Sequence, residues 1–376
     1  MKKAKTALRL AATAAAMATA GMAGAAQLVV GQVGPMSGLD ATQGRGYAAG
    51  MQILFNSVNK AGGVNGHTFT LVRKDDGGRP EDTVTATRQI LAENKPIVLA
   101  GYMGNRNIAD LVASGLLEKE RIALVGYRVT EIRPETPFLY SVRASLRDEI
   151  NKLTEHLATI GITRLGLLYE EGPGAAALVA AADDAVKKAG ATIVGKASYP
   201  AGTASINAAV DTFIARRPQA IIMVASAAAA AGFIEQYRGG NGGAQLFTHS
   251  GADIEQMSKR LAEEQMQGVA IAQVTPSPYK ISSKLAKDLT DALAIEKADV
   301  PVSYAMMEGF IAAKVIVEAV RRQGSARPTR EGMVAALDGI GNLNVGGYVV
   351  GFKPGTRTGS KFVELSIVTG AGKIRQ

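Results

Sequence analysis

The side chains able to do chemistry are few and scattered. His67, His156 and His249 lie far apart, and none stands in the H-E-x-x-H or H-x-H spacing that aims two imidazoles at one metal. His67 is expected at an exposed strand start and His156 on a helix surface. Cysteine is absent, which removes thiol nucleophiles, disulfides and thiolate metal sites. No G-x-S-x-G elbow presents a serine. Asp75-Asp76 closes an alternating run and reads as a solvated edge or a helix-start partner rather than a metal site. The glycine-rich "GPMSGLDATQGRG" lacks G-x-G-x-x-G, and Pro35 interrupts the tight turn a dinucleotide would need. The expectation is no catalytic residue, no metal and no cofactor.

What remains is binding chemistry. Short polar loops follow strand after strand: Pro35-Met36-Ser37-Gly38, Tyr102-Met103-Gly104-Asn105-Arg106 and Gly126-Tyr127-Arg128, then Glu170-Glu171-Gly172-Pro173, Ser226 and Ser250-Gly251-Ala252-Asp253. In wound α/β sheets ligands bind at the carboxyl ends of strands, and two such rims facing each other make a polar cleft. Arg106 and Arg128 both follow strand ends, and a guanidinium fork suits a carboxylate. The alternative is that both arginines face solvent, as most do.

These loops need a scaffold, and the chain alternates strand and helix almost throughout. Met51, Leu54, Phe55 and Val58 recur at i, i+3, i+4 and i+7, one face of a helix over 44–61. Gly62 or Gly63 ends that helix, Asn65-Gly66 turns the chain, and Thr68–Val72 reads as a strand. Pro80, Glu81 and Asp82 suit the first turn of the next helix. The βα grammar runs to about residue 140 and restarts after "FLYSVRAS", so two doubly wound parallel-sheet lobes are expected, an α/β architecture. The tail from Val345 reads as β-hairpins, with Lys353-Pro354-Gly355 as a turn.

A length of 376 residues suits two domains, and 47% hydrophobic with 20% charged residues is globular. "MKKAKTALRL" followed by "AATAAAMATAGMAGAA" has the basic start, apolar middle and small residues of a cleaved signal peptide over 1–26, cut after Ala25 or Ala26. A periplasmic location follows as the expectation. The formal charge of +9 includes four cations of that leader, leaving +5 for the mature chain. No Lys/Arg run interleaves with aromatics and tryptophan is absent, so nucleic acid is not an expected partner.

"VGQVGPMSG…GRGYAAGMQILFNSVNKAGGVNGHTFTLVRKDDGGRPEDTVTATRQIL" resembles the leucine/isoleucine/valine-binding family of periplasmic solute receptors. The G-P-x-S-G loop, the N-x-A-G-G-V-N-G joint, the strand ending in Asp-Asp and the Pro-led helix are all similar, as is the late "AVRRQGSARPTREGMVAAL". The resemblance covers essentially the whole mature chain. It implies two lobes joined by three hinge crossings, placed near 142–146, 272–276 and 343–347, so that 27–143 with 275–344 forms lobe 1 and 144–274 with 345–376 forms lobe 2. It implies closure over a small solute and docking of the closed form on an ABC permease in the inner membrane.

Family site positions carry over one at a time. Asn105 stands where a serine holds the ligand carboxylate, with Arg106 beside it. Gly126-Tyr127-Arg128 replaces a Ser-Pro-small run, and Thr130 keeps the family threonine. Gln43 occupies the place of a stacking aromatic, Pro173-Gly174 that of a Tyr-Gly pair, and Asp253 that of the ammonium acceptor. Ser37, Tyr102 and Ser226 complete the expected lining. The expected ligand is a branched-chain amino acid or related carboxylated solute held by Asn105, Arg128 and Thr130, with Arg106 assisting. Aromatic or aliphatic carboxylates stay open, as do a sensor feeding a membrane kinase and an amide-hydrolase regulator. A monomer or weak dimer is expected.

Overall fold

The computed structural model describes residues 26–369 and 374–375. The expected leader, apart from Ala26, lies outside the described residues. Lobe 1 opens with β1 (Gln27–Gly34), α1 (Ala41–Lys60), β2 (Thr68–Asp75), α2 (Pro80–Asn94), β3 (Val98–Ala100), α3 (Asn105–Ala113), α4 (Leu116–Glu120), β4 (Leu124–Val125) and β5 (Leu139–Tyr140). Lobe 2 follows with α5 (Leu146–Thr159), β6 (Arg164–Glu170), α6 (Ala175–Lys188), β7 (Thr192–Tyr199), α7 (Asn207–Arg216), β8 (Ala220–Val224), α8 (Ala227–Gly239), β9 (Gln245–Thr248), α9 (Ile254–Arg260), α10 (Glu263–Met266) and β10 (Ala270–Gln273). The chain then returns through α11 (Lys284–Ile295), α12 (Tyr304–Arg322), α13 (Arg330–Asp338), β11 (Leu343–Asn344) and β12 (Val349–Val350), and ends in β13 (Glu364–Val368) and β14 (Ile374–Arg375).

The first sheet has five strands in the order β2-β1-β3-β4-β5, all parallel. The second has seven, β14-β13-β10-β9-β8-β6-β7, with β13 and β14 antiparallel on one side. Each sheet carries a core on both faces. In lobe 1, α1 and α12 cover one face and α2 to α4 the other. In lobe 2, α7 to α9 cover one face and α5 with α6 the other. Strands buried on both faces explain the continuous apolar runs, such as "AIIMV" in β8.

The joint after α1 forms as read. Asn65 and Gly66 both take positive φ, at 51° and 82°, and Val64 pairs with His67 across the turn. His67 itself corrects the expectation of exposure: it is 1% exposed, and its Nδ1 accepts from Ala26 N at 3.1 Å. Residues 105–120 form two helices, α3 and α4, separated at Gly115 (φ 64°).

The first two crossings run between β5 and α5 and just after β10. The third is displaced. Val345, Tyr348, Val350 and Phe352 insert into the core of lobe 1, so 345–352 belongs there rather than to lobe 2. The chain enters lobe 2 only near 362–363, where Phe362 packs on the lobe 1 core and Val363 on the lobe 2 core. Two contacts fix this segment. Ser141 N donates to Arg357 O and Gly359 N to Ser141 O, both at 2.8 Å, pairing the third crossing with the first. The Tyr348 hydroxyl lies 2.8 Å from Val142 O and 3.0 Å from Val274 O, stapling the other two crossings together. The turn at Lys353–Thr356 forms as expected.

Candidate functional site

The carboxyl ends of β1, β3 and β4 face those of β6, β8 and β9, and the two rims meet. Gln256 Nε2 on α9 donates to Leu39 O in the loop after β1, at 3.3 Å. A Cβ placed on Gly251 would lie 2.6 Å from Thr130 Cγ2, and one on Gly174 would lie 3.2 Å from Glu131 Cβ. This is a closed cleft, and glycine at 251 is what lets the rims approach so nearly.

The rim of lobe 1 is held from beneath. Asp75 Oδ1 accepts from Met36 N (2.9 Å), Ser37 N (3.2 Å) and Gly77 N (2.8 Å). Burial works against its charge, but the hydrogen bonds from the Ser37 hydroxyl and these amides win and hold its pKa at about 2. Asp76 is buried, bonded to Thr83 Oγ1 at 2.7 Å and Gly78 N at 2.8 Å. The aspartate pair therefore fixes a loop and a helix start. Asn105 and Thr130 bond each other: Asn105 Oδ1 accepts from Thr130 N at 2.8 Å, and its Nδ2 donates to Thr130 Oγ1 at 3.1 Å.

Arg128 is the charge at the centre of this rim. It is 7% exposed, donates through Nη1 to Gln43 Oε1 at 2.7 Å, and brings Nε within 3.1 Å of Glu308 Oε2. The sequence alternative of a solvent-facing Arg128 is thus corrected, while Arg106 is exposed and makes no ion pair or hydrogen bond among the described residues. Glu308 comes from α12 and also reaches Arg143 Nη1, at 3.3 Å. Arg143, in the first crossing, pairs with Glu149 at 3.2 Å and bonds the Ser250 hydroxyl. Glu149 accepts from Ser250 N at 2.7 Å and Oγ at 3.0 Å. Two arginines and two glutamates thus form one buried chain from the rim of lobe 1, through the hinge, to the rim of lobe 2.

The helix contact between α1 and α12 positions Glu308. A Cβ on Gly50 would strike Met306 O, and one on Gly309 would strike Tyr47 O. The two backbones touch there, which sets Glu308 and the fully buried Tyr47 under the cleft. Burial, then the Glu308 charge, raises the Tyr47 pKa well above its usual value. Gly126 sits over that ring at φ 72°, where a Cβ would strike the Tyr47 hydroxyl.

The rim of lobe 2 is acidic. Asp253 is buried, takes φ 52°, and caps α9 through Oδ1 to Gln256 N at 3.0 Å. Glu255 accepts from the Tyr279 hydroxyl at 2.6 Å and Tyr304 N at 2.8 Å. Burial first, then the neighbouring Asp253, pushes Glu255 up to about 7. Asp40, on the opposite rim, touches solvent at the cleft mouth. The surrounding walls nonetheless raise its pKa, with Arg128 opposing the shift and Asp253 adding to it. His249 is neutral: Nε2 donates to Ala225 O at 3.1 Å, Nδ1 accepts from Gly251 N at 3.0 Å, and burial lowers its pKa to about 4.

The other expected residues divide. Ser37 and Pro173 are exposed on the rims, and Tyr127 is half-buried, its pKa pushed up to about 12 by burial. Ser226 caps α8, its Oγ accepting from Ala229 N at 3.3 Å. Tyr102 is corrected: its side chain is packed inside lobe 1, with its hydroxyl 3.2 Å from Thr87 Oγ1, because the apolar face of β3 continues into it. Sequence reasoning missed Asp40, Arg143, Glu149, Glu255 and Glu308. Glu308 did leave a signal, a lone acid inside the apolar "YAMMEGFIAA".

Two wound lobes, three crossings and a polar cleft at the strand ends define a two-lobed solute receptor. The model of the family described as periplasmic binding protein matches residues 27–361, and the chain belongs to that family, which is one of solute-binding proteins. It is similar to a substrate-binding periplasmic protein from Ralstonia solanacearum, at 36% identity and a TM-score of 0.85 over 93% of this chain and 99% of that one. A Leu/Ile/Val-binding protein homolog 8 from Brucella suis is 24% identical, covering 89% of this chain and 86% of the relative. A branched chain amino acid ABC transporter structure from Thermus thermophilus with bound valine shares the fold, at 17% identity and a TM-score of 0.79 over 94% of this chain and 95% of that one. Among the described residues no helix is long and apolar enough to cross a membrane.

Proposed function

We propose that this chain is the periplasmic substrate-binding component of an ABC importer, exported by cleavage of the leader over 1–26. It takes a branched-chain amino acid or related small carboxylated solute into the interlobe cleft and presents the closed form to an inner-membrane permease. The observation that carries this reading is the convergence of Arg128 and Asp40 from one rim with Asp253 from the other. A carboxylate drawn from water needs charge-assisted donors, which Arg128 Nη2 and the Thr130 hydroxyl supply, with Asn105 bracing Thr130 and Arg106 at the entrance. An ammonium group falls to Asp253. Ser37, Gln43, Gly126, Tyr127, Pro173 and Ser226 form the walls. The names of the Brucella suis relative and the valine-bound Thermus thermophilus structure support an amino acid as the solute.

The test is native mass spectrometry of the mature protein, then a thermal-shift screen of amino acids and organic acids. A retained or stabilising carboxylated solute is expected. A best ligand without an acid group would overturn the reading.

A further inference from the structure

We propose that Glu308 determines the charge of the solute: by pairing the Arg128 guanidinium in advance, it makes the cleft favour a solute with no net charge over a plain anion of the same skeleton. This rests on the reading of the cleft as the solute site.

Glu308 is 2% exposed and lies between two guanidiniums, Oε2 at 3.1 Å from Arg128 Nε and Oε1 at 3.3 Å from Arg143 Nη1. Gln43 already takes Arg128 Nη1. Among the described residues, nothing accepts a hydrogen bond from Nη2. Arg128 therefore keeps Nη2 as its one uncommitted nitrogen for an incoming acid, where an unbraced guanidinium offers a two-nitrogen fork. Its charge is also spent. Arg128 and Arg143 balance Glu308 and Glu149, so the buried chain is neutral before any solute arrives. Beyond that chain, Asp40, Asp253 and Glu255 bring acids to the cleft, His249 is a buried neutral imidazole, and Arg106 stands exposed at the entrance. A carboxylate without an amine adds another negative charge to a desolvated, acid-lined space. An α-amino acid carries its own compensation. Glu308 acts through Arg128, as a positioning residue, and its place is fixed by the backbone contact at Gly309.

The experiment is calorimetric titration of the mature protein with two probes, L-leucine and isocaproate, which is leucine without its amino group. Wild type is expected to bind leucine about tenfold or more tighter, since like charge in a closed site costs several kcal/mol. In Glu308→Gln the leucine-to-isocaproate ratio falls about tenfold or more, and Glu308→Asp restores it. A merely structural Glu308 would weaken both probes together and leave the ratio unmoved. The double variant Arg143→Gln with Glu308→Gln keeps the buried charge balanced, with Glu149 still held by Ser250, and gives the same fall if the single variant does not fold. Equal affinities in wild type, or an unchanged ratio in these variants, overturn the inference and leave the solute-binding reading standing. If wild type binds neither probe nor any carboxylated solute, that reading falls and the inference with it.

Discussion

The two rims of the cleft are built on different terms. On lobe 1, the central polar groups are partnered within their own lobe or the hinge: Asn105 by Thr130, the loop at Ser37 by Asp75, Arg128 by Gln43 and Glu308. On lobe 2, acids crowd together, and Glu255 takes its hydrogen bonds from Tyr279 and from Tyr304 at the start of α12. The first rim is assembled and close to neutral. The second carries Asp253 and Glu255, and Asp253 acts across the cleft on Asp40. A solute that meets lobe 1 through its acid group and lobe 2 through a positive one would relieve that arrangement.

The comparison breaks hardest at Glu308. Glu308→Leu leaves the buried Arg128 without a counter-charge and Arg143 with Glu149 alone, and is expected to cost about 3–5 kcal/mol, read as a lower urea midpoint. A shift under about 1 kcal/mol would show that the chain is not electrostatically coupled. Gly309→Ala tests the same element by packing: the new methyl meets Tyr47 O, and about 1–3 kcal/mol of destabilisation is expected in the same assay.

The acidic rim is sharpened by pH. The Glu255 pKa is raised from 4.5 to about 7 in the closed protein, so its contribution to stability is full below 4.5 and lost as pH rises through about 7. Asp40 is shifted in the same direction. Wild type should lose stability across that window relative to Glu255→Gln, in thermal melts at stepped pH. Identical profiles would remove Glu255 from the account. The smallest effect is expected at Arg106→Ala, within about 0.5 kcal/mol of wild type, because this arginine is exposed and unpaired among the described residues.

Local grammar was readable where neighbours in sequence decide the outcome. Asn65-Gly66, Pro80 and the turn at Lys353–Thr356 impose their backbone geometry whatever surrounds them. The rim loops were readable for the same reason, since a strand end is a local event. What the sequence hid is decided by distant packing. The tail at Val345–Phe352 alternates like any hairpin, and only the lobe 1 core shows which lobe owns it. Tyr102 follows a strand end as the rim residues do, yet its ring turns inward to Thr87. Arg128 was visible as a charge at a strand end, but Glu308 sits under it only because two helices touch through Gly50 and Gly309.

The central claim, that Arg128 holds the acid group of a solute between the rims, is tested most directly by calorimetry on Arg128→Ala with the carboxylated solute identified in the screen. The account predicts a loss of about 2–5 kcal/mol, roughly 30-fold to several-thousand-fold in affinity. Affinity within about 0.5 kcal/mol of wild type would contradict it.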